Sequence, residues 1–145
     1  MIVVAVSGGF DPLHAGHIDY LEEAKQLGDY LVVILNSDEW VLRKRGILCS
    51  TYDHRERVLK AIKFVDEVVP AIDEGDTVAE SLAFYKPDKF AKGGDRDADN
   101  MPQQELEVCA NLGIEIIYDV GGYKYESSSW IINRILRQGE KHGNR

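Results

Sequence analysis

The stretch SGGFDPLHAGH, which occupies residues 7–17, joins two segments of different character. The apolar residues 2–6 before it predict a buried strand, and the amphipathic residues 15–27 predict a helix that ends at Gly28. Glycines between a strand and a helix let the backbone approach a ligand closely, while the first N–H groups of the helix attract anions. The stretch therefore predicts a phosphate-binding loop.

His14 and His17 lie three residues apart at the start of this helix, and Gly16 between them leaves space beside the backbone. Two imidazoles next to a reacting phosphate can donate hydrogen bonds to its oxygens as negative charge builds up. Two other interpretations stay open: a zinc-binding pair, which would need a third ligand, and a pair of structural histidines. The stretch is neither a P-loop nor a dinucleotide-binding loop, because the Gly-x-x-x-x-Gly-Lys and Gly-x-Gly-x-x-Gly patterns are absent.

Strand-like and helix-like segments alternate along the rest of the chain. Further strands are predicted at residues 30–35, 67–69, 89–91 and 114–118. Further helices are predicted after Ser37, over residues 54–64 with Asp53 as cap, from Asp76 to before Pro87, from Pro102 to near Gly113, and over residues 130–137. This order predicts one Rossmann-like α/β domain over residues 1–145, with a mainly parallel five-stranded sheet, helices on both faces and a frayed tail from residue 139.

Composition narrows the class of protein. The length of 145 residues suits one domain, and no apolar run approaches the roughly 18 residues that span a bilayer. Residues 1–6 lack the basic leader and the cleavage site of a signal peptide. Cys49 and Cys109 do not make a disulfide framework. These features predict a cytoplasmic protein in a reducing compartment, with no membrane partner.

The charge distribution favours a small anionic ligand. The formal net charge of −8 argues against a nucleic-acid partner, because phosphate backbones require a broad basic surface. Seven of the 17 lysines and arginines nevertheless fall within residues 43–63. Such a cluster on an acidic chain suits a phosphorylated small molecule, although a set of solvated helix faces gives the same pattern.

The segment GFDPLHAGH, residues 9–17, resembles the His-x-Gly-His signature of the cytidylyltransferase-like nucleotidyltransferases. Through residue 68, the segments at 28–33, 37–39, 52–55 and 65–68 resemble glycerol-3-phosphate cytidylyltransferases. The later segments KGGD, at 92–95, and SSSWII, at 127–132, look more like heptose-1-phosphate adenylyltransferase domains. The resemblance implies a Rossmann-like fold and transfer of a nucleoside monophosphate from an NTP to a phosphorylated acceptor, with release of pyrophosphate.

The resemblance also implies three sets of site residues. The catalytic residues are His14, His17 and Lys44. The nucleotide-binding residues are Gly8, Gly9, Phe10, His14, His17, Gly93, Asp95, Ser127, Ser128 and Ser129. The acceptor-binding residues are Asp11, Lys44, Arg55, Lys63 and Lys124. Independently of any family, three serines at a helix start suit the β- and γ-phosphates, or serve as plain N-caps.

Two departures from the cytidylyltransferase pattern affect the acceptor and the base. The arginine of an Arg-Thr-Glu-Gly-Ile-Ser-Thr run is absent from GGYKYESS at residues 121–128, where Lys124 can supply a charge. A second basic residue after Lys44 is also absent, because position 46 is Gly46, and Arg43 or Arg45 can compensate.

The predicted reaction is an in-line attack of an acceptor phosphate oxygen on the α-phosphorus of an NTP, without a covalent enzyme intermediate. Mg²⁺ is expected to bridge the triphosphate oxygens, held by substrate and water, with no protein metal site. We expect CTP ahead of ATP, an acceptor such as glycerol 3-phosphate or another polyol or sugar phosphate, and a homodimer. The alternatives are adenylation of another acceptor on the same fold and an inactive nucleotide-binding regulator.

Overall fold

The computed structural model describes residues 1–122 and 126–142. Within these ranges the chain forms five strands and six helices in strict alternation, apart from two consecutive helices after the second strand. The strands are β1 (Val3–Gly8), β2 (Tyr30–Leu35), β3 (Glu67–Pro70), β4 (Lys89–Ala91) and β5 (Glu115–Ile117). The helices are α1 (Ala15–Lys25), α2 (Asp38–Arg45), α3 (Tyr52–Lys60), α4 (Ala79–Tyr85), α5 (Gln103–Leu112) and α6 (Ser128–His142).

The strands form one sheet in the order β3-β2-β1-β4-β5, and every neighbouring pair is parallel. The central pair is in register from Val3 opposite Tyr30 to Gly8 opposite Leu35. Both faces of these strands are apolar, because the crossover helices of a parallel sheet cover both sides. The predicted Rossmann-like fold with a five-stranded parallel sheet is confirmed.

Two apolar clusters hold the helices against the sheet. One lies beneath α1 and α3 and includes Val4, Val6, Leu21, Leu31, Val33 and Leu59. The other lies beneath α4 and α5 and includes Ala5, Val32, Ile34, Leu82, Phe90 and Cys109. Successive residues of β1 and β2 point alternately into the two clusters, which is the period-two pattern of a strand buried on both faces. No helix in the described ranges has both the length and the apolar composition needed to cross a membrane.

The position of the site follows from the strand order. The chain moves outward from β1 through β2 to β3, then crosses to β4 on the other side of β1. The loops that leave the carboxyl ends of β1 and β4 therefore turn to opposite faces of the sheet and open a crevice between them. Ligands bind parallel sheets at such a switch point.

Several helix bounds differ from the sequence prediction. Helix α3 begins at Tyr52 rather than at residue 54. Helix α4 begins at Ala79, because the carboxylate of Asp73, and not that of Asp76, accepts bonds from two amides of its first turn. Helix α6 continues without a break through position 139 to His142, so the prediction of a frayed tail was wrong for residues 139–142. Residues 143–145 lie outside the described ranges.

Candidate active site

The loop after β1 is held in place by a buried carboxylate. Asp11 has no exposed surface, and its two oxygens accept hydrogen bonds from the amides of Cys49 at 2.7 Å and Ser50 at 2.9 Å. Phe10, just before it, has a φ of 51°. Asp11 thus joins the β1 loop to the loop before α3. This placement does not fit the predicted contact with the acceptor, because both carboxylate oxygens are already occupied.

His14 and His17 start α1 as a reciprocal cap. The Nδ1 atom of His14 accepts from the amide of Gly16 at 3.1 Å, and the Nδ1 atom of His17 accepts from the amide of His14 at 3.2 Å. A neutral imidazole that accepts at Nδ1 carries its proton on Nε2. The capping geometry therefore assigns an Nε2–H donor to each ring.

The two rings are stacked, with their centroids 3.8 Å apart. Burial, the neighbouring His14 and the positive charge of Arg45 lower the pKa of His17 to about 3. His17 is therefore neutral at physiological pH and donates from Nε2 without carrying a full charge.

Gly16 is required by this packing. A Cβ atom added at Gly16 would lie 3.0 Å from Cε1 and 3.1 Å from Nδ1 of His14. Any other residue would require the His14 ring to move by a few tenths of an ångström. This agrees with the sequence argument that the glycine leaves room beside the histidines.

A cavity of about 490 Å³ opens in front of the histidines. Its walls come from the β1 loop, the β4 loop, the start of α6 and the end of α2. All ten predicted nucleotide-binding residues line this larger cavity: Gly8, Gly9, Phe10, His14, His17, Gly93, Asp95, Ser127, Ser128 and Ser129. Elements that are far apart in sequence thus converge on one site, as the strand order requires.

The three serines connect α6 to the rest of the site. The Ser127 hydroxyl accepts from the Trp130 amide at 3.1 Å, which is an N-cap contact. The Ser128 hydroxyl donates to the Pro12 carbonyl at 2.8 Å, and the Ser129 hydroxyl accepts from Nη1 of Arg45 at 3.0 Å. The positive end of α6 therefore faces the larger cavity.

A smaller cavity of about 330 Å³ adjoins the larger one. Ser7, Gly8, Trp40, Arg45, Lys92 and Arg96 line both. Three of these six shared residues are cations, so the border between the two cavities is strongly positive. Burial lowers the pKa of Lys92, whose Nζ atom lies 4.7 Å from the centre of the Phe90 ring.

Sequence reasoning missed most of this border. In the sequence, Arg45 is notable only as a substitute for an absent basic residue, but in the structure it lines both cavities. The predicted catalytic Lys44 lines only the smaller cavity. Lys92 could have been found, because it follows directly after the carboxyl end of β4. Arg96 and Trp40 gave no local signal.

Two predicted acceptor-binding residues lie elsewhere. Arg55 is 3% exposed and donates to the carbonyls of Ser50, Gly9 and Asn36 and to Oδ1 of Asp38. These bonds use its donors to hold the loops, so the predicted phosphate contact of Arg55 is wrong for this conformation.

Lys63 precedes β3 and therefore lies at the amino edge of the sheet, opposite the cavities. The predicted phosphate contact of Lys63 is corrected for this reason. Lys124 lies outside the described residues. In residues 1–122 and 126–142 there is no group of three or more histidine, cysteine, aspartate or glutamate residues placed to hold a metal ion.

Comparisons with known proteins agree with this architecture. The sequence model of the cytidylyltransferase-like family matches residues 5–134. A crystal structure of the lipopolysaccharide core biosynthesis protein from Thermoplasma volcanium superposes with a TM-score of 0.69 at 34% identity, over 86% of this chain and 99% of that one.

Three curated relatives carry different names. The bifunctional protein HldE of Pelobacter propionicus is 39% identical over 94% of this chain, which spans only 27% of that protein. The FAD synthase of Pyrococcus abyssi is 39% identical over 92% of both chains. The glycerol-3-phosphate cytidylyltransferase of Bacillus subtilis is 42% identical over 63% of this chain and 70% of that one. With a family match over residues 5–134 and a fold shared with a solved structure at 34% identity, the chain belongs to the cytidylyltransferase-like nucleotidyltransferase family.

Proposed function

We propose that the chain transfers a nucleoside monophosphate from an NTP to a small phosphorylated polyol or sugar and releases pyrophosphate. The observation that carries this proposal is the pair of adjoining cavities with three cations on their shared border. A triphosphate and an acceptor phosphate repel each other. A border lined by Arg45, Lys92 and Arg96 is suited to bring the two anions together.

The larger cavity takes the NTP. Its triphosphate faces the start of α6 and the two Nε2–H donors of His14 and His17. Mg²⁺ enters as part of the NTP substrate, bound to triphosphate oxygens and water. The smaller cavity takes the acceptor, whose phosphate lies against the shared border and Lys44.

The reaction is an in-line displacement. An oxygen of the acceptor phosphate forms a bond to the α-phosphorus, the bond from that phosphorus to the bridging β-oxygen breaks, and pyrophosphate leaves with the electron pair. Charge increases on the non-bridging and leaving oxygens. Neutral, fixed donors such as His17 stabilise that charge without first having to reorient.

CTP is the first candidate nucleotide, because the cytidylyltransferase of Bacillus subtilis has the highest identity of the three relatives named above. ATP is the second candidate. HldE and FAD synthase each align with more than nine tenths of this chain, and FAD contains an adenylate group. Base selection depends on hydrogen bonds to the ring edge, and a site built for one edge leaves polar groups unpaired with the other.

One matrix of assays tests the proposal. CTP and ATP are each combined with glycerol 3-phosphate, mannose 1-phosphate or FMN in the presence of Mg²⁺, and pyrophosphate release is followed. Turnover with one polyol or sugar phosphate supports the proposal. Nucleotide binding without pyrophosphate release from any pair favours an inactive nucleotide-binding regulator. Calorimetric titration then ranks the bases, and ATP binding about tenfold tighter than CTP, about 1.4 kcal/mol, replaces CTP as first candidate.

A further inference from the structure

One residue that lines the smaller cavity has a buried carboxylate oxygen for which the described residues supply no hydrogen-bond donor. Glu105, in the first turn of α5, is 4% exposed and lines this cavity. Its Oε2 atom accepts from the amide of Val78 at 3.0 Å, just before α4. Its Oε1 atom is buried and has no hydrogen-bond partner in the described part of the chain. Buried carboxylate oxygens are normally paired, so Oε1 has unused capacity to accept a hydrogen bond, which a ligand donor can fill.

The walls around Glu105 indicate the chemistry of that ligand. The lining includes four cations and two carboxylates: Lys44, Arg45, Lys92, Arg96, Asp76 and Glu105. The volume of about 330 Å³ is at the lower end of the range for small-molecule sites. Cations suit a phosphate, whereas a carboxylate can only accept hydrogen bonds, which hydroxyl groups donate.

A flavin fits these walls poorly. An isoalloxazine ring requires broad apolar or aromatic surfaces, and the apolar side chains of this lining are Trp40, Val78 and Pro102. A short polyol or a sugar presents a hydroxyl group at every carbon. Such a ligand can satisfy Oε1 of Glu105 while its phosphate lies against the cations.

We infer that Glu105 determines acceptor specificity by accepting a hydrogen bond, at Oε1, from a hydroxyl group of a polyol or sugar phosphate. This rests on the proposed function, because that function makes the smaller cavity the acceptor site. The amide of Val78 fixes the carboxylate, so Oε1 is oriented before the acceptor arrives. An acceptor that lacks this hydroxyl leaves Oε1 unpaired and binds more weakly.

The test compares Glu105→Gln with Glu107→Gln. Glutamine at position 105 can still accept from Val78 through its carbonyl oxygen, but it then presents an amide donor where the free oxygen was. Glu107 lies on the exposed side of the same helix, so its variant controls for the loss of one charge. Calorimetry measures binding of glycerol 3-phosphate, mannose 1-phosphate and FMN, together with the deoxy analogues propane-1,3-diol phosphate and the monodeoxymannose 1-phosphates.

We expect wild-type protein and Glu107→Gln to bind a polyol or sugar phosphate about tenfold tighter than a deoxy analogue, and Glu105→Gln to lose that preference. Nucleotide affinity and melting temperature should stay the same in both variants, which a merely structural role of Glu105 would not predict. Tighter binding of FMN than of any polyol or sugar phosphate overturns the inference, as does an unchanged preference in Glu105→Gln. Acceptor binding without pyrophosphate release refutes the transfer reaction and leaves the role of Glu105 intact.

Discussion

Replacing His17 by asparagine separates its two functions. Nδ1 of His17 accepts a hydrogen bond from the amide of His14 and completes the cap of α1, which leaves the opposite nitrogen, Nε2, as the donor of a residue that lines the larger cavity. The amide oxygen of asparagine lies close to the position of Nδ1 and can keep the cap. It supplies nothing at the position of Nε2. Glutamine reaches that distal position and can return a donor.

The magnitude follows from the type of bond that is lost. A fixed donor to a developing phosphoryl charge is worth about 2.7–4 kcal/mol, so His17→Asn should lower kcat by about 10²–10³-fold. The cap contributes about 1 kcal/mol to folding, and the asparagine retains it, so the melting temperature should change little. His17→Gln should recover part of the lost turnover.

The assay is pyrophosphate release under saturating NTP and acceptor, with circular dichroism as the check on folding. His54→Asn is the matched control, because His54 is exposed on α3 and lines neither cavity. A His17→Asn enzyme that keeps turnover within about threefold of wild type would refute the assignment of Nε2 as a transition-state donor.

Three further predictions concern charge. Arg45→Ala should lower kcat by about tenfold or more, while Arg57→Ala, on the exposed side of α3, should not. Equal losses of kcat in the two variants would mean that the charge at the border between the cavities does not contribute to the reaction. Arg55→Ala should lower the free energy of unfolding by about 3 kcal/mol or more, measured by urea titration, because three carbonyls and Asp38 lose their donor. The pKa of His17 is about 3 in the folded chain, below its ordinary value of 6.5 in the unfolded chain. As the pH falls below 6.5, the unfolded chain therefore binds this proton before the folded chain does. The free energy of unfolding then drops by at most about 1.4 kcal/mol per pH unit. Between about pH 7 and pH 5 this loss of stability should be smaller in His17→Asn than in the wild-type protein. An equal loss in the two proteins would contradict the low pKa of His17.

The β1 loop and the sheet could be predicted because their signals are local. Residues 30–35 form a continuous apolar run bounded by polar residues, and β2 occupies the same residues. The histidines lie at a helix start whose glycine and phosphate-binding chemistry are adjacent in sequence. For the same reason the five nucleotide-binding predictions within residues 7–17 line one cavity, and the other five, which rest on the resemblance, line it too because the strand order brings the β4 loop and the start of α6 to the same edge of the sheet.

The acceptor residues failed where the resemblance was carried over at single basic positions. A lysine or arginine in sequence does not show whether its side chain meets solvent, a backbone carbonyl or a ligand. Arg55 points inward because three loop carbonyls and the carboxylate of Asp38, at the start of α2, accept its hydrogen bonds. Lys63 lies at the amino edge of the sheet, opposite the cavities. Glu105 gave no signal because its environment depends on α4 and α5 packing together. The homodimer stays a prediction, which sedimentation velocity can test.

The neutral His17 and the border cations have separate tasks in this site. Cations attract the phosphates of the bound substrates as well as the charge of the transition state. Arg45, Lys92 and Arg96 therefore chiefly bring the two phosphates together. A donor accelerates transfer only when its bond becomes stronger in the transition state than in the bound substrate. Burial and the charge of Arg45 keep His17 neutral, which limits its attraction for the bound triphosphate. Its capped, stacked ring still holds Nε2–H fixed, so its bond strengthens as charge moves onto the phosphoryl oxygens. The cations therefore affect mainly binding and encounter, and His17 affects mainly kcat.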